Sequence, residues 1–268
     1  MVFFNTTFTY EKDVYRLVKI IMHGCNGKMG KVICDLVNKD ADAEIVAGID
    51  IAGANAPFPV FTDIKDCNVE ADAIIDFTTA SAVPAVIDYA VEKNIPAVIC
   101  TTGLSDETMD MLKKASEKVA MFKSANMSLG INLIATILKK YSDVLYQAGF
   151  DVEIVERHHN QKIDAPSGTA ILLADAVNEG VGGDLEYVYD RSQVRQKRNR
   201  KELGLSAVRG GTIVGDHEVI FAGQDEVIEF THSAHSKEVF AVGAVKAAKF
   251  IKGKKPGIYD MQDVMSEI

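Results

Sequence analysis

Residues 156–170 of the chain, ERHHNQKIDAPSGTA, hold several groups that could transfer a proton or bind an anion. These groups are His158, His159, Lys162, Ser167, Gly168 and Thr169. Histidine is the side chain that gains and loses a proton near neutral pH. Free N–H groups and hydroxyls at the start of a helix bind anions. The stretch therefore predicts a site with proton donors, one fixed cation and a carboxylate-binding turn.

The predicted local structure allows these side chains to meet. DVEIVE, at residues 151–156, has the pattern of a strand, in which successive side chains point to opposite faces. His158 and His159 can therefore serve one pocket only if the strand ends there, and the turn NQKIDAPSG supplies that end. Lys162 can fold back toward His158 within the turn. Each residue alone is more often a surface group or a simple helix cap, but together they favour a functional site.

A second chemical motif lies near the start of the chain. GCNGKMG places Gly24, Gly27 and Gly30 between a predicted strand and a predicted helix, as a variant of the G-x-G-x-x-G dinucleotide fingerprint. Such a turn lets a pyrophosphate approach the backbone at a helix N-terminus. Asp50 follows the next strand and could accept hydrogen bonds from an adenosine ribose. The motif predicts a dinucleotide cofactor, and the alternative is a structural turn in an α/β protein.

The charges near Asp50 bear on the choice of cofactor. No Lys or Arg follows it directly in DIAGAN, so the 2′-phosphate of NADPH would meet a negative charge. Lys28 in the glycine turn is the one nearby cation that could offset this charge. We therefore expect the protein to use both NADH and NADPH, with NADH favoured.

The elements that must position these groups change character along the chain. Short apolar strands alternate with helices as far as about residue 126, which predicts a parallel sheet. After residue 127 two strand patterns are joined by a short turn, which predicts antiparallel pairing. The last helical pattern is expected to pack back on the first part. The predicted domains are residues 1–126, with an extension at about 1–16, then residues 127–236, and a returning segment at 237–268.

Composition limits the possible partners. The chain has 268 residues and a formal net charge of -9, and an acidic surface argues against nucleic-acid binding. No apolar run approaches the ~20 residues of a membrane-spanning helix, and the first residues lack the pattern of a secretory signal. The four cysteines are scattered, which indicates a reducing cytoplasm. The histidines lack the Cys, Asp or Glu spacing of a metal site, so no metal is expected.

At this point the chain resembles a known family. EIVERHHNQKIDAPSGTA is similar to the signature E-x-x-x-x-H-H-x-x-K-x-D-x-P-S-G-T-A of the dihydrodipicolinate reductases, also called 4-hydroxy-tetrahydrodipicolinate reductases. The segments GCNGKMG, DFT, TTG, SANMSLGIN and RGGTIVGDHEVIF fit the family in the same order. The resemblance runs from about Val18 to the end of the chain.

The resemblance implies an α/β fold: a Rossmann-type dinucleotide-binding domain plus an α+β substrate and oligomerisation domain with a mixed, largely antiparallel sheet. It also implies a homotetramer that reduces a cyclic unsaturated dicarboxylate with NADH or NADPH, on the diaminopimelate route to lysine. His158 would be the general acid with Lys162 assisting. The substrate carboxylates would be bound by His159, Lys162, Ser167, Gly168 and Thr169. The cofactor would be bound by Gly24, Asn26, Gly27, Lys28, Met29, Gly30, Asp50, Phe77, Thr78, Thr102, Gly103, Ala125, Asn126 and Met127.

Two features depart from the family pattern or lie outside the site. Cys100 stands where the family usually has Gly before Thr-Thr-Gly, which places one contact to the nicotinamide in question. Residues 191–201, RSQVRQKRNRK, carry six cations and no acid. This segment is either a solvated mobile loop or an electrostatic funnel that attracts a dicarboxylate.

Two other functions remain open on the residues alone. One is a different two-domain dehydrogenase, acting on an amino acid or a sugar acid, which would not need a site for paired carboxylates. The other is a regulator that senses a dinucleotide without catalysis. Such a regulator would need a DNA-binding or partner module, and no basic helix-turn-helix pattern is evident.

Overall fold

The computed structural model describes residues 17–53 and 56–267. The predicted extension at about residues 1–16 lies outside the described residues. The strands of the described part are β1 (Val18–His23), β2 (Ala43–Ile49), β3 (Val60–Phe61), β4 (Ala73–Asp76), β5 (Ala97–Ile99), β6 (Ala120–Phe122), β7 (Asp151–His158), β8 (Glu186–Val188), β9 (Glu202–Arg209), β10 (Gly215–Ala222), β11 (Val227–Ala234) and β12 (Gly257–Tyr259). The helices are α1 (Lys28–Val37), α2 (Val83–Lys93), α3 (Asp106–Ser116), α4 (Leu129–Gln147), α5 (Gly168–Gly180), α6 (Glu238–Ile251) and α7 (Met261–Ser266).

The first sheet is parallel and has the strand order β12-β6-β5-β4-β1-β2-β3. From β3 to β6 this is the 3-2-1-4-5-6 order of a Rossmann-type fold, and the order reverses between β1 and β4. Ile20, Ile21, Ile74 and Ile75 of these two strands are wholly buried. Helices cover both faces of such a sheet, so its central strands read as continuous apolar runs. The fold predicted for this part of the chain is confirmed.

The second sheet has the order β11-β10-β7-β9-β8. β10 pairs antiparallel with β11 and β7, while β9 pairs parallel with β7 and β8. The mixed sheet is therefore confirmed, but it is not largely antiparallel, because α5 is the crossover that lets β8 run in the same direction as β7. The sequence patterns also missed β3, β8, β12 and α7, which have six residues or fewer, and the eight-residue β9.

One face of the second sheet is covered by α4 and α5. Burial alternates along β7, where Val152 and Ile154 face the helices and are buried. The next two positions on that face hold Glu156 and His158 instead of apolar residues, and both are also buried. Polar residues at consecutive core positions are unfavourable for stability, and such exceptions are expected at functional sites.

Serine residues begin the two helices that border this row. The Ser128 hydroxyl accepts a hydrogen bond from the Ile131 N–H at 3.3 Å, and the Ser167 hydroxyl accepts one from the Ala170 N–H at 3.1 Å. Such caps satisfy one of the free N–H groups of a first helical turn. The C-terminal segment then returns to the first sheet, where β12 pairs with β6.

None of the described helices is both long enough and apolar enough to cross a membrane. Within the described residues, no group of three or more His, Cys, Asp or Glu side chains is arranged to hold a metal ion.

Candidate active site

The glycine turn joins the end of β1 to the start of α1, and its backbone is packed so closely that Gly24 and Gly30 have no room for a side chain. Gly24 has φ +86°, and a Cβ built on it would lie 2.5 Å from the carbonyl oxygen of Phe77. A Cβ on Gly30 would lie 2.0 Å from the carbonyl oxygen of Gly24. Gly27 precedes α1 and gives it no side-chain cap. The first N–H groups of α1 therefore remain available to an anion beside a bare backbone.

A cleft of about 470 Å³ lies against this turn. Five predicted cofactor residues line it, namely Gly24, Gly27, Asp50, Phe77 and Thr78. The rest of the lining consists of His23, Ile49, Ile51, Thr62, Asp63, Ile64, Thr79, Ala82 and Ala85. The glycine cradle, the helix start and the cleft together fit a dinucleotide.

Asp50 is held at the edge of the cleft by backbone donors. Its two oxygens accept hydrogen bonds from the N–H groups of Asn26 and Ala52, both at 3.1 Å. The Asn26 side chain donates to the carbonyl oxygen of Gly53 at 2.6 Å, so it braces the turn. Asn26 also lines a larger cavity of about 670 Å³, which includes no other predicted site residue.

The other predicted cofactor residues lie at neighbouring strand and helix ends. Lys28 and Met29 are the first residues of α1, and Lys28 is exposed. Beyond β5 and β6 the exposed positions are Thr102, Gly103 and Ala125, whereas Asn126 and Met127 are buried before α4. Cys100 packs in the core, and burial raises the pKa of its thiol well above the ordinary value.

A charged network surrounds the predicted general acid. His158 Nδ1 lies 2.6 Å from Glu156 Oε2, and two Arg209 nitrogens donate to the two oxygens of Glu156 at 2.7 Å each. Burial alone would raise the pKa of Glu156, but the hydrogen bonds from Arg209 and His158 outweigh it and hold that pKa below its usual range. A carboxylate at Nδ1 fixes the orientation of the imidazole and leaves Nε2 as its second functional atom. Gly215 leaves space beside Nε2, since a Cβ there would lie 3.0 Å from it.

The turn after His158 is tied down at several points. Lys162 Nζ lies 2.8 Å from Asp164 Oδ1, and Arg209 donates to the Asp164 carbonyl oxygen at 2.6 Å. The hydrogen bond from Lys162 lowers the pKa of Asp164. The Lys162 side chain is 21% exposed, so its ammonium can still be reached from solution. His159 is half-buried beside it.

The start of α5 differs from the predicted carboxylate cradle in one respect. The Ser167 hydroxyl is buried, where it caps the helix and lies 2.9 Å from His217 Nε2. The Ser167 N–H donates to Glu156 Oε1 at 2.9 Å. The groups left at the open helix start are the N–H groups of Gly168 and Thr169, together with the half-buried Thr169 side chain.

A hydrogen bond joins the two predicted residue sets. Asn126 Nδ2, from the cofactor set, donates to Thr169 Oγ1, from the substrate set, at 2.8 Å. The same Asn126 accepts from the Ser128 N–H at the start of α4, also at 2.8 Å. The end of β6 is therefore connected directly to the start of α5.

Several residues of this region were missed by the sequence patterns. Arg209 and His217 lie about 50 and 60 residues after Glu156 in the chain, and only the pairing of β7 with β9 and β10 brings them together. His217 packs edge-on to His158 with ring centroids 5.1 Å apart. Burial, with help from the charge of His158, lowers the pKa of His217 to about 4. Alternation along β7 was the one sequence signal that could have found Glu156, two positions from His158.

The basic segment 191–201 is held far from His158. Arg198 donates to Asp151 at 2.8 Å and to Glu153 at 3.0 Å, and Arg191 is bonded to Glu202. These contacts lie in the amino-terminal half of β7, roughly 17 to 23 Å from His158 at ~3.3 Å per residue. The segment is therefore neither an unattached loop nor placed to funnel a substrate toward the His158 of the same chain.

Comparisons with known proteins cover nearly the whole chain. The family models for the N-terminus and the C-terminus of dihydrodipicolinate reductase match residues 18–127 and 130–265. A 4-hydroxy-tetrahydrodipicolinate reductase of Caldanaerobacter subterraneus is 50% identical over 94% of this chain and 99% of its own length. One from Clostridium tetani is 49% identical over 95% of this chain and 99% of its own length.

The fold also occurs in solved structures. A dipicolinate-bound dihydrodipicolinate reductase from Paenisporosarcina superimposes with a TM-score of 0.76 at 23% identity, over 92% of this chain and 99% of that one. A scyllo-inositol dehydrogenase from Lactobacillus casei with bound NAD(H) gives a TM-score of 0.58 at 13% identity, over 93% of each chain.

Proposed function

The chain belongs to the dihydrodipicolinate reductase family, and from this membership we propose that it reduces 4-hydroxy-tetrahydrodipicolinate with NAD(P)H, using His158 and Lys162. The observation that carries the residue assignment is the buried network of Glu156, His158 and Arg209 beside the open start of α5. The rival dehydrogenases would not need a cation and a helix start next to an oriented imidazole.

The chain's own residues divide the work of the reaction between them. A nicotinamide cofactor at the glycine turn supplies hydride when bound. Hydride addition to a conjugated C=C–C=N system leaves an enamine-like anion, which must be protonated on carbon. His158 supplies this proton from Nε2, because Nδ1 is held by Glu156. A general acid that titrates near the working pH is the efficient choice for such a step.

The ring carboxylates are bound by groups that surround this imidazole. Lys162 provides the positive charge, His159 lies beside it, and Gly168 and Thr169 present N–H groups at the start of α5. Ser167 contributes by capping the helix, since its hydroxyl is already engaged. Preorganised donors of this kind orient a ring and neutralise its charge without reorganisation during the reaction.

Replacing Lys162 with Met should raise the KM for the dicarboxylate and lower kcat together. A charge-assisted hydrogen bond to a carboxylate is lost, so kcat/KM should fall by about 10- to 100-fold. Steady-state kinetics with saturating NADH measure the effect. Lys201→Met is the control, because Lys201 is 54% exposed and lies 3.9 Å from Asp184 at the other end of the sheet. An unchanged KM in Lys162→Met would contradict carboxylate binding by this residue.

The cleft favours NADH over NADPH. Asp50 and Asp63 line it, and no Lys or Arg is among its described lining residues. Repulsion of about 1 kcal/mol between the 2′-phosphate and these acids corresponds to about a fivefold higher kcat/KM with NADH. Asp63→Asn should bring the kcat/KM values with NADH and NADPH closer together. Asp66→Asn, outside the cleft, should leave their ratio unchanged. A preference for NADPH in the unaltered protein would contradict this assignment.

We expect the reductase to be a homotetramer. The face of the second sheet opposite α4 and α5 presents Val155, Ile220, Val208 and Val227, of which Val208 is 45% and Val227 57% exposed. Charged residues, among them Glu153, Arg157 and Glu218, lie between these apolar side chains on the same face. Contact with another chain would remove the exposed valines from water. Sedimentation equilibrium should give four times the mass of the chain, and Val208→Asp should reduce it. A monomer at micromolar concentration would contradict the proposal.

One assay tests the function itself. The purified protein should oxidise NADH only when freshly generated 4-hydroxy-tetrahydrodipicolinate is present. Simple amino acids, hydroxy acids and inositols should give no turnover. NADH oxidation with any of those, and none with the cyclic dicarboxylate, would instead favour a rival dehydrogenase.

A further inference from the structure

We propose that His23 contacts the pyrophosphate of the bound nicotinamide cofactor, a role that rests on the proposed function. His23 is the last residue of β1 and immediately precedes Gly24. The strand register places it beside Ile49 of β2 and Asp76 of β4. The three side chains therefore lie together where the strand order reverses, which is where parallel sheets of this kind bind their ligands.

Asp76 holds the His23 ring in one orientation. His23 Nδ1 lies 2.7 Å from Asp76 Oδ1, and Asp76 is wholly buried. The hydroxyls of Thr78 and Thr101 donate to the same carboxylate at 2.7 and 2.6 Å. An ionised carboxylate only accepts hydrogen bonds, so all three neighbours donate and Nδ1 carries a proton. The remaining ring nitrogen, Nε2, is the atom available for a ligand.

The ring reaches the cofactor cleft. The His23 side chain is 11% exposed, and His23 lines the cleft together with Gly24 and Gly27. Its Nε2 makes no hydrogen bond with any residue in the described ranges 17–53 and 56–267. A His–Asp pair with a purely structural role would not need one ring nitrogen at a ligand cleft.

The charges of the cleft indicate the ligand group. Asp50 and Asp63 line the cleft and would oppose a phosphate, and no described Lys or Arg lines it. A phosphate oxygen at Nε2 would accept a hydrogen bond from that nitrogen, so the ring would then donate from both nitrogens, to Asp76 and to the phosphate. The uncapped N–H groups of α1 converge on the same region. The pyrophosphate is the anionic part of the dinucleotide that fits these two sets of donors.

His23→Asn separates the ligand contact from the structural bond. The Asn amide can occupy the place of His23 Nδ1 and still donate to Asp76, but it has no atom at the position of Nε2. Calorimetric titrations with NADH and with ADP should give Kd values about 10-fold or more above those of the unaltered protein. The melting temperature should stay within a few degrees. His235→Asn, at an exposed residue outside the cleft, is the control and should change neither Kd.

The outcomes distinguish the possible failures. Unchanged Kd values for both ligands in His23→Asn would overturn the inference. A loss for NADH alone would overturn the pyrophosphate contact, because ADP also carries the two phosphates. If the variant does not fold, ¹⁵N NMR of the unaltered protein decides, since ADP should shift one imidazole signal and no shift would overturn the contact. An unaltered protein that binds neither ligand would contradict the proposed function as well.

Discussion

Replacement of His158 with Gln is expected to lower kcat by about 100-fold or more while leaving the Kd of NADH close to that of the unaltered protein. Gln cannot supply a proton near neutral pH, although its amide can still hydrogen-bond. The Glu156 carboxylate that orients His158 is buried and separate from the glycine turn, so cofactor binding should be preserved. Stopped-flow binding of NADH and steady-state turnover measure the two effects separately.

The control for this variant is His235→Gln, at an exposed histidine. It should retain full kcat. The pH profile adds a readout that loss of packing alone would not change. The limb that reports the general acid should disappear from log kcat in His158→Gln, leaving a low and nearly flat rate. A kcat within a few-fold of the unaltered value would remove His158 from the role of proton donor.

Replacement of Arg209 with Met is expected to destabilise the protein by about 3 kcal/mol or more and to abolish most of its activity. Glu156 is wholly buried, and both of its oxygens are bonded to Arg209. Removal of Arg209 takes away the positive charge that is bonded to both oxygens of this buried carboxylate, and loss of one partner of a buried ion pair costs about 3–5 kcal/mol. His158 should also lose its fixed orientation, because Glu156 would relax toward the remaining donors. Urea unfolding and kcat measured on the folded fraction test both effects.

Arg157→Met is the matched control for Arg209→Met. Arg157 follows Glu156 in β7 and pairs with Glu218 at 3.0 Å, but its side chain is 39% exposed. The loss of this surface pair should cost less than about 1 kcal/mol. Equal destabilisation by the two variants would contradict a special contribution from the buried network.

The acid dependence of stability should also change in Arg209→Met. The folded pKa of Glu156 lies below its ordinary value of 4.5. The stabilisation linked to this shift is therefore complete above the unfolded pKa and is lost as the pH falls through the folded pKa. As the pH falls below about 5, the unaltered protein should lose this contribution to its free energy of unfolding. The free energy of unfolding of the variant should fall less steeply over the same pH range. A parallel pair of stability curves would contradict the assignment.

The sequence predicted the residues that local patterns can reveal. A glycine turn between a strand and a helix is confined to a few consecutive residues, because only glycine tolerates the approach of Gly24 to Phe77 and of Gly30 to Gly24. The apolar runs of β1 and β4 predicted a buried parallel sheet for a similar local reason. The resemblance to a family rests on motifs of the same kind.

The assembly of the site could not be predicted in this way. Arg209 reaches Glu156 because β9 pairs with β7, and His23 reaches Asp76 because β1 pairs with β4. Neither pairing can be recognised from a short stretch of consecutive residues. The basic segment 191–201 shows the converse case, since its charges suggested a free surface while Arg198 is bonded to Asp151 and Glu153.

The order of amino acids was sufficient for the type of fold, the cofactor turn and the identity of the histidines and lysine that could act on a dicarboxylate. Which carboxylates orient His23 and His158, which hydroxyls are already engaged, and how Asn126 meets Thr169 were decided by the packing of two sheets. The physical reason is range: turns and periodicity act between neighbours in the chain. Buried charges, in contrast, are compensated by whichever groups the folded chain brings within about 3 Å of them.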